Sequence, residues 1–353
     1  MSIFLSSKFN SIKPYNTAGD KSPADDLIRL NTNENPFPPS KKAIEYAKKV
    51  FENLNFYGDP ECVLLSKKAA DLLNINKNEI LFGNGSDEIL NFIFMAFCEK
   101  GVIFPDITYS FYKVLADFYN LNYEFIKLKN FRIIPEDYFD SKGRTIVITN
   151  PNAPTGMILT CEEIESIIIH NKNSLIVIDE AYVDFYGKSC VELIKKYDNL
   201  IIVRTFSKSR SLAGARLGFC AACENLINDL RNVKNSIAPY NVNSMTQALG
   251  VGAIDDENYT LENIKIICKT RDNIKKQLEE LNFEVLESYT NFLFARHRIF
   301  SGERIYSELL KYKILIRHFK KPLEISDFNR ITIGTPEQMK IMIEALKEIL
   351  KNA

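Results

Sequence analysis

The stretch Leu200-Ile201-Ile202-Val203-Arg204-Thr205-Phe206-Ser207-Lys208-Ser209 joins a continuous apolar run to a small, hydroxyl-rich turn that carries a lysine. Such an apolar run is typical of a strand that is buried on both faces of a sheet. Lys208 is therefore expected just past the carboxyl end of a strand, where open α/β sheets bind ligands. A lysine there can be desolvated and attack an aldehyde to form a Schiff base. The competing interpretation is a solvated surface lysine, so the rest of the chain must decide.

Six further apolar runs show the same pattern, and helical patterns lie between several of them. The helical stretch 161–170 opens with a capping box formed by Thr160 and Glu163. Continuous apolar runs predict strands covered by helices on both faces, hence an α/β fold with a mostly parallel seven-stranded sheet. The six runs are 80–82, 102–104, 123–126, 145–149, 175–178 and 217–222.

The length of 353 residues favours one large and one small domain. We expect residues 1–36 to form an N-terminal arm and part of the small domain, and residues 37–257 to form the large domain. A long helical pattern should then lead into a small α+β domain at 258–353, which ends in a helix that begins at Pro336. The strand-like runs of the small domain are 283–287, 291–296, 313–316 and 330–333.

Composition excludes several classes of function. Basic and acidic residues balance at 45 each, so no basic surface suggests nucleic acid or an anionic membrane as a partner. No apolar run approaches the ~20 residues of a membrane-spanning helix, and the N-terminus lacks a signal-peptide pattern. The seven scattered cysteines are typical of reduced thiols. We expect a cytoplasmic protein that binds neither nucleic acid nor membrane.

No metal site is expected. Cys220 and Cys223 have CxxC spacing, but they continue an apolar strand pattern and no second Cys or His pair lies near them in sequence. The chain has three histidines, which disfavours a histidine-centred mechanism.

Two strand-terminal loops carry side chains suited to a ligand. The loop 83–87 (Gly-Asn-Gly-Ser-Asp) lies between a strand and a helix, where backbone N–H groups favour an anion such as phosphate. Glycines at such turns are also often purely geometric. Asp179 ends a hydrophobic strand, and it needs a partner such as a protonated heterocyclic nitrogen to stay charged, unless it caps a helix. Tyr182, three residues on, could bond a neighbouring ring hydroxyl.

Two more loops of this kind are ambiguous by themselves. The cluster 150–156 (Asn-Pro-Asn-Ala-Pro-Thr-Gly) is typical of a turn, although it also follows a predicted strand. Tyr109 offers an aromatic face after a third strand. Together with Lys208, Asp179 and Arg216, these residues form a recognisable set.

The set resembles the aspartate-aminotransferase superfold of pyridoxal-phosphate enzymes and, more narrowly, the histidinol-phosphate aminotransferases. The matching segments recur in family order along nearly the whole chain. They are NTNENP (31–36), YGDP (57–60), GNGSDE (83–88), NPNAPTG (150–156), DEAY (179–182), RTFSK (204–208), GARLG (214–218), PYNVN (239–243) and RITIG (330–334).

The resemblance implies pyridoxal 5'-phosphate as the cofactor, bound by the large domain. Lys208 would hold it as a Schiff base and later move the substrate proton. Asp179 would pair with the pyridinium nitrogen and keep it protonated, so that the ring can act as an electron sink. Tyr182 would bond the phenolic oxygen of the ring, and Tyr109 would stack on the ring.

The resemblance also implies how the cofactor phosphate is bound. Ser207, Arg216 and the backbone of Ser86 and Asp87 would hold it, with Arg216 as the charged partner. Tyr57 would reach this phosphate from the neighbouring subunit, which implies a homodimer with shared active sites.

For the substrate, the resemblance assigns Arg330 to the anionic group, because a bidentate fork suits phosphate or carboxylate. Weaker candidates are Arg317, Tyr15 and Tyr240 for the far end of the substrate, and Asn33 for the loop that closes over it.

The sequence departs from the family at one position of the cofactor site. Ala153 stands where much of the family has an Asn that bonds the phenolic oxygen. Asn152, one residue earlier, could take over this contact, or the contact could be lost.

The implied reaction moves an amino group between L-histidinol phosphate, with imidazole-acetol phosphate as its keto partner, and 2-oxoglutarate or glutamate, in histidine biosynthesis. A threonine-phosphate decarboxylase and an aromatic or broad-specificity aminotransferase share the architecture, and the motifs do not separate them. A non-catalytic sensor of this fold is a remote alternative, because the lysine, aspartate and arginine positions are all filled. A nucleotide-binding oxidoreductase would need a fuller GxGxxG fingerprint.

Overall fold

The computed structural model describes residues 2–9, 13–14 and 26–351. Its regular elements are named here in chain order. The strands are β1 (Ile28–Leu30), β2 (Ile80–Gly83), β3 (Val102–Pro105), β4 (Tyr123–Ile126), β5 (Thr145–Thr149), β6 (Ile176–Asp179), β7 (Leu200–Thr205), β8 (Gly218–Ala222), β9 (Phe283–Val285), β10 (Phe292–His297), β11 (Ile314–His318) and β12 (Asn329–Thr332). The helices are α1 (Lys41–Lys48), α2 (Val63–Leu73), α3 (Ser86–Phe97), α4 (Phe111–Phe118), α5 (Cys161–His170), α6 (Glu224–Ile237), α7 (Ser244–Asp255), α8 (Glu257–Glu280), α9 (Gly302–Lys311) and α10 (Pro336–Lys351).

The larger sheet has seven strands in the order β2-β8-β7-β6-β5-β3-β4. Only β8 runs antiparallel to its neighbours within this sheet. Every residue of β5, β6 and β8 is buried, which explains why these segments are continuous apolar runs. Each fully buried Ile or Val side chain contributes about 1.5–3 kcal/mol of stability. The predicted α/β fold with a mostly parallel seven-stranded sheet is confirmed.

The register of the parallel strands brings polar residues together at one edge of this sheet. Thr149, the last residue of β5, pairs with Asp179, the last residue of β6. Asp179 in turn pairs with Val203 of β7, which continues to Thr205. The side chains that follow these strands therefore share the carboxyl edge of the sheet, where ligands bind in this class of fold.

The smaller sheet has five strands in the order β1-β11-β12-β10-β9. Its core includes Phe292 and Ile331 of the sheet together with Met342 and Leu346 of α10. The four strands predicted between 283 and 333 are all present. Strand β1 was not predicted, because it has three residues and pairs in parallel with the distant strand β11. The domain boundaries given above stay a prediction.

Helix α5 begins where the capping residues in the sequence predicted it would. Thr160 caps α5 by accepting from the Glu163 N–H, and the Glu163 side chain accepts from the Thr160 N–H at 2.8 Å. Among the described residues, no helix is long and apolar enough to cross a membrane.

Candidate active site

A cleft of about 400 Å³ lies at the carboxyl edge of the seven-stranded sheet. Thr149, Asp179 and Thr205, which end β5, β6 and β7, all line it. Residues of the smaller sheet line the same cleft, among them Arg317 on β11 and Arg330 on β12. The cleft therefore receives side chains from both sheets, and most of the predicted site residues meet there.

Lys208 follows β7 and projects into this cleft. Its Nζ donates a hydrogen bond of 3.0 Å to the Thr32 carbonyl and lies 5.9 Å from the centre of the Tyr182 ring. Burial lowers the pKa of Lys208 from 10.5 to about 8, and the nearby charge of Arg330 acts in the same direction. Near pH 8 about half of the amine is therefore neutral, the form that attacks an aldehyde.

The loop that carries Lys208 is fixed by contacts on both sides. Asn35 donates to the carbonyls of Lys208 at 2.9 Å and of Ser209 at 3.1 Å. The Ser209 hydroxyl and the Arg204 guanidinium both donate to the Asp184 carboxylate. These anchors hold the backbone of the lysine in place, so the position of its amine depends on few rotatable bonds.

Asp179 is 3% exposed and carries two hydrogen bonds. Tyr112 donates to its Oδ2 at 2.8 Å, and the Ala181 N–H donates to its Oδ1 at 3.1 Å. Burial raises the pKa of Asp179 to about 6, although both hydrogen bonds lower it. The charged neighbours that act on it, Asp87 and Glu180, are acidic and raise it further. Among the described residues, the main influences that lower this pKa are hydrogen bonds rather than a cation, as expected of an acid that awaits a positively charged ring nitrogen.

Tyr182 is linked to the smaller sheet through Asn33. The Asn33 amide donates to the Tyr182 hydroxyl at 2.8 Å, and its Oδ1 accepts from Thr332 at 3.0 Å. Asn33 has φ +56°, a left-handed conformation that Asn tolerates better than most residues. It is only 1% exposed, so its main visible role is to connect β12 with Tyr182.

The loop between β2 and α3 forms a concave corner beside Arg216. A Cβ added at Gly85, which has φ +85°, would lie 2.6 Å from Nη2 of Arg216. A Cβ at Gly218 would lie 2.3 Å from the backbone nitrogen of Ser86. Both positions require glycine, because any side chain would fill the corner where the first N–H groups of α3 lie. Those N–H groups have no intrahelical acceptors and attract anions.

The remaining predicted residues of this corner are present in the cleft. Arg216 pairs with Asp87 at 3.0 Å, which uses one of the five donors of the guanidinium. Tyr109 donates to the other oxygen of Asp87 at 3.0 Å. Ser207 lines the cleft next to Lys208, and its backbone N–H donates to Thr205 Oγ1 at 3.1 Å.

Two arginines of the smaller sheet lie side by side in the cleft. Arg317 and Arg330 are directly paired residues of the neighbouring strands β11 and β12. Arg330 donates to the Asn31 carbonyl at 2.9 Å. Both guanidinium groups lie over the Phe319 ring, at 5.4 and 5.9 Å. This arrangement suits a dianionic or phosphorylated substrate group.

Three predicted residues are not brought to the cleft of this chain. Tyr57 and Tyr240 stack on each other with ring centres 4.4 Å apart, and they are 82% and 50% exposed. Asn152 is 2% exposed, and its amide donates to the Ile107 carbonyl and to Thr155. It therefore supports the loop, while Ala153 lines the cleft. Tyr15 lies outside the described residues.

Among the residues that sequence reasoning missed, Tyr112 contacts a site residue directly and Asp184 holds the loop that carries Lys208. Tyr112 bonds Asp179, and Asp184 bonds the residue after Lys208. Tyr112 lies at an apolar position of α4, where a tyrosine normally indicates only core packing. The sequence offered only a weak indication of a role for Asp184, namely that this acid lies five residues after Asp179 at the end of β6.

Residues 25–346 match the model of the family described as aminotransferase class I and II. The chain belongs to this aminotransferase family. The aminotransferase is 46% identical to the histidinol-phosphate aminotransferase of Brachyspira hyodysenteriae, over 100% of both chains. It is also similar to the crystal structure of the histidinol-phosphate aminotransferase from Clostridium acetobutylicum, with a TM-score of 0.87, 27% identity and coverage of 93% and 100%. L-threonine-O-3-phosphate decarboxylase from Porphyromonas gingivalis, at 21% identity and a TM-score of 0.81 over 92% and 100%, shows a common fold.

Aminotransferases of this family use pyridoxal phosphate, and the cleft fits this cofactor. Asp179 offers a buried carboxylate that forms no ion pair among the described residues, and Lys208 offers an amine with a lowered pKa. Gly85 keeps open a corner beside Arg216 and the start of α3 that suits a phosphate. The residues present therefore match the ring nitrogen, the aldehyde and the phosphate of the cofactor.

Proposed function

We propose that this aminotransferase transfers an amino group between L-histidinol phosphate, with imidazole-acetol phosphate as its keto partner, and 2-oxoglutarate or glutamate, in histidine biosynthesis. The observation that carries the substrate is the 46% identity to a histidinol-phosphate aminotransferase over the full length of both chains. The paired Arg317 and Arg330 support it, because both amino donors carry an anionic group.

The geometry supports a role for each of the central residues. Pyridoxal phosphate, when bound, supplies an electron sink for negative charge at the substrate carbon. Lys208 would hold the cofactor, and its Nζ would then take the proton from the amino-bearing carbon. Asp179 would keep the ring nitrogen protonated, and Tyr182 would bond the phenolic oxygen. Asn152 is not assigned to this oxygen, because its amide is engaged in the loop.

The cofactor phosphate would lie in the concave corner. Ser207, Arg216 and the N–H groups of Ser86 and Asp87 would bind it, since Arg216 borders the space that Gly85 leaves open and all four residues line the cleft. Arg216 would then exchange part of its pairing with Asp87 for the phosphate. Tyr109 would stack on the ring, held in position by its hydrogen bond to Asp87.

We further propose that the chain acts as a cytoplasmic homodimer with shared active sites. Tyr57 stands among exposed apolar side chains on one segment, namely Phe51, Leu54, Phe56, Val63 and Leu64. An exposed apolar cluster of this kind is typical of a protein interface. Tyr57 stacks on Tyr240, and both tyrosines would then lie on the surface that a second copy covers. From there Tyr57 would reach the concave corner of the neighbouring subunit, where the cofactor phosphate would lie.

The test is to incubate the purified protein with pyridoxal phosphate, 2-oxoglutarate and a panel of amines. Glutamate formed from histidinol phosphate, faster than from aromatic amino acids, supports the proposal. Carbon dioxide released from threonine phosphate without glutamate would instead support the decarboxylase. Preferential use of an aromatic amino acid would support the broad-specificity enzyme.

A further inference from the structure

Tyr112 places a phenolic hydroxyl directly behind Asp179. Its side chain has no exposed surface, and its hydroxyl donates to Asp179 Oδ2 at 2.8 Å. The same hydroxyl lies 2.6 Å from Thr149 Oγ1. A phenol has one proton, and this proton goes to the carboxylate, so Thr149 must be the donor in the second hydrogen bond. A directed chain therefore runs from Thr149 through Tyr112 to Asp179.

The fold holds each member of this chain in place. Thr149 and Asp179 are paired end residues of β5 and β6, so their side chains start from adjacent points of one sheet. The Tyr112 ring packs in the core, 6.1 Å from Phe104 and 6.5 Å from Phe94, measured between ring centres. A ring enclosed in this way has few alternative rotamers, because protein interiors are close-packed. The Tyr112 hydroxyl is therefore held beside the carboxylate with little further loss of side-chain entropy.

We propose that Tyr112 is a positioning residue of the aminotransferase reaction, which fixes Asp179 as an ionised acceptor for the ring nitrogen of the cofactor, with Thr149 as its support. The inference rests on the proposed function, since it assigns a task to Asp179. A hydrogen bond from a neutral donor to a carboxylate favours the charged form and is stronger than one between neutral groups. Among the described residues, Oδ1 accepts a hydrogen bond from the Ala181 N–H alone, so it retains a lone pair for a cationic partner.

The electrostatic surroundings show why a donor is needed at this place. The largest charge effects on Asp179 come from Asp87 and Glu180, and both oppose its ionisation. Burial opposes it as well, and the hydrogen bond from Tyr112 is the largest influence in the other direction. Without this donor, the carboxyl group would take up a proton more readily and hold the ring nitrogen less tightly.

The competing explanation is that Tyr112 only fills the core. Tyr138 provides a matched control, because it is 1% exposed and its hydroxyl has no hydrogen-bond partner among the described residues. Both Tyr112→Phe and Tyr138→Phe remove one buried hydroxyl and preserve the ring. Only the first change removes a donor to Asp179.

The experiment titrates the apoproteins of wild type, Tyr112→Phe and Tyr138→Phe with pyridoxal phosphate, followed by absorbance, and then measures kcat and KM. Tyr112→Phe should weaken cofactor binding about 10- to 100-fold, the range expected for a lost hydrogen bond to a charged group. It should lower kcat while KM for the amino donor changes less than about twofold. Tyr138→Phe should match wild type in both measurements. Equal cofactor affinities of the two variants would overturn the inference.

A second pair of variants tests the same chain in case Tyr112→Phe does not fold. Thr149→Val removes the support for Tyr112, and Thr149→Ser restores a hydroxyl there. Weaker cofactor binding in Thr149→Val, rescued in Thr149→Ser, supports the inference, whereas equal binding in both contradicts it. Wild type that binds the cofactor but makes no glutamate from histidinol phosphate would contradict the proposed substrate alone, because the affinity comparison does not depend on the substrate.

Discussion

Lys208 and Thr32 are joined by a hydrogen bond of 3.0 Å from the side-chain amine to a backbone carbonyl. The two neighbours of Thr32 also bond residues of the cleft. The Asn31 carbonyl accepts from Arg330, and the Asn33 side-chain amide donates to Tyr182. Three consecutive residues thus each hold one side chain of the cleft. This short segment follows β1, so the smaller sheet and the lysine loop are connected at the point where the chemistry is proposed.

Substitution of Lys208 should abolish turnover. In Lys208→Ala, no amine remains to hold the cofactor or to move the proton, so we expect a fall in kcat of at least about 1,000-fold. The absorbance band of the lysine-bound cofactor should disappear as well. Lys340→Ala is the control, because the side chain of this lysine is 78% exposed on α10 and does not line the cleft. A yellow and active Lys208→Ala protein would contradict the assignment.

The lowered pKa of Lys208 predicts how the apoprotein combines with the cofactor as pH changes. The neutral amine is the reactive form, and it becomes the major form as the pH rises through about 8. The rate of combination with pyridoxal phosphate should therefore increase up to about pH 8 and then level off. Stopped-flow absorbance measures this rate, with a free lysine derivative as the reference, whose rate keeps rising to about pH 10. A protein profile that follows the reference would show that Lys208 is not desolvated.

Asp179→Asn should raise the thermal stability of the apoprotein and weaken its binding of the cofactor. The pKa of Asp179 rises from 3.8 to about 6 in the folded apoprotein, which corresponds to about 3 kcal/mol. Because the folded-state pKa lies above the unfolded value, the ionised carboxylate destabilises the apoprotein above pH 6, and this penalty vanishes as the pH falls toward 4. At pH 7.5 the Asn variant should therefore melt at a higher temperature than wild type as apoprotein, yet bind the cofactor more weakly.

Calorimetry of both apoproteins at pH 7.5 and pH 5 measures this effect, and the difference between them should shrink at the lower pH. Asp117→Asn, a change in an exposed helical ion pair, is the control and should show no such gain. A lower melting temperature for Asp179→Asn at pH 7.5 would contradict the prediction.

The sequence predicted the strands of the larger sheet because burial on both faces leaves continuous apolar runs, as in β5 and β6. It also predicted that Lys208 and Asp179 lie in one cleft, since both follow strands at the same edge of the sheet. Local sequence patterns do not predict side-chain contacts between segments that are distant in the chain. Tyr112 and Asp179 are 67 positions apart in the chain, and nothing in the local pattern of α4 distinguishes a donor from a packing residue.

Substitution of Arg330 should impair binding of both substrates. Arg330→Lys keeps the charge but loses the planar fork, so KM for histidinol phosphate and for glutamate should each rise about 10-fold or more. Arg296→Lys on the neighbouring strand β10 is a matched control, because Arg296 pairs with Glu284 and does not line the cleft. Steady-state kinetics measures both variants. Unchanged KM values in Arg330→Lys would remove this residue from the substrate site.

Shared active sites can be tested by mixing two inactive variants. In Tyr57→Ala the phosphate contact is lost, and in Lys208→Ala the amine is lost, so each homodimer should be inactive or nearly so. If Tyr57 acts on the neighbouring subunit, a mixed dimer contains one site with both an intact Lys208 and an intact Tyr57. Activity should therefore reappear after the two proteins are unfolded together and refolded as a mixture. If Tyr57 served its own chain, every site in the mixture would keep one defect, and the activity would stay at the level of the separate variants.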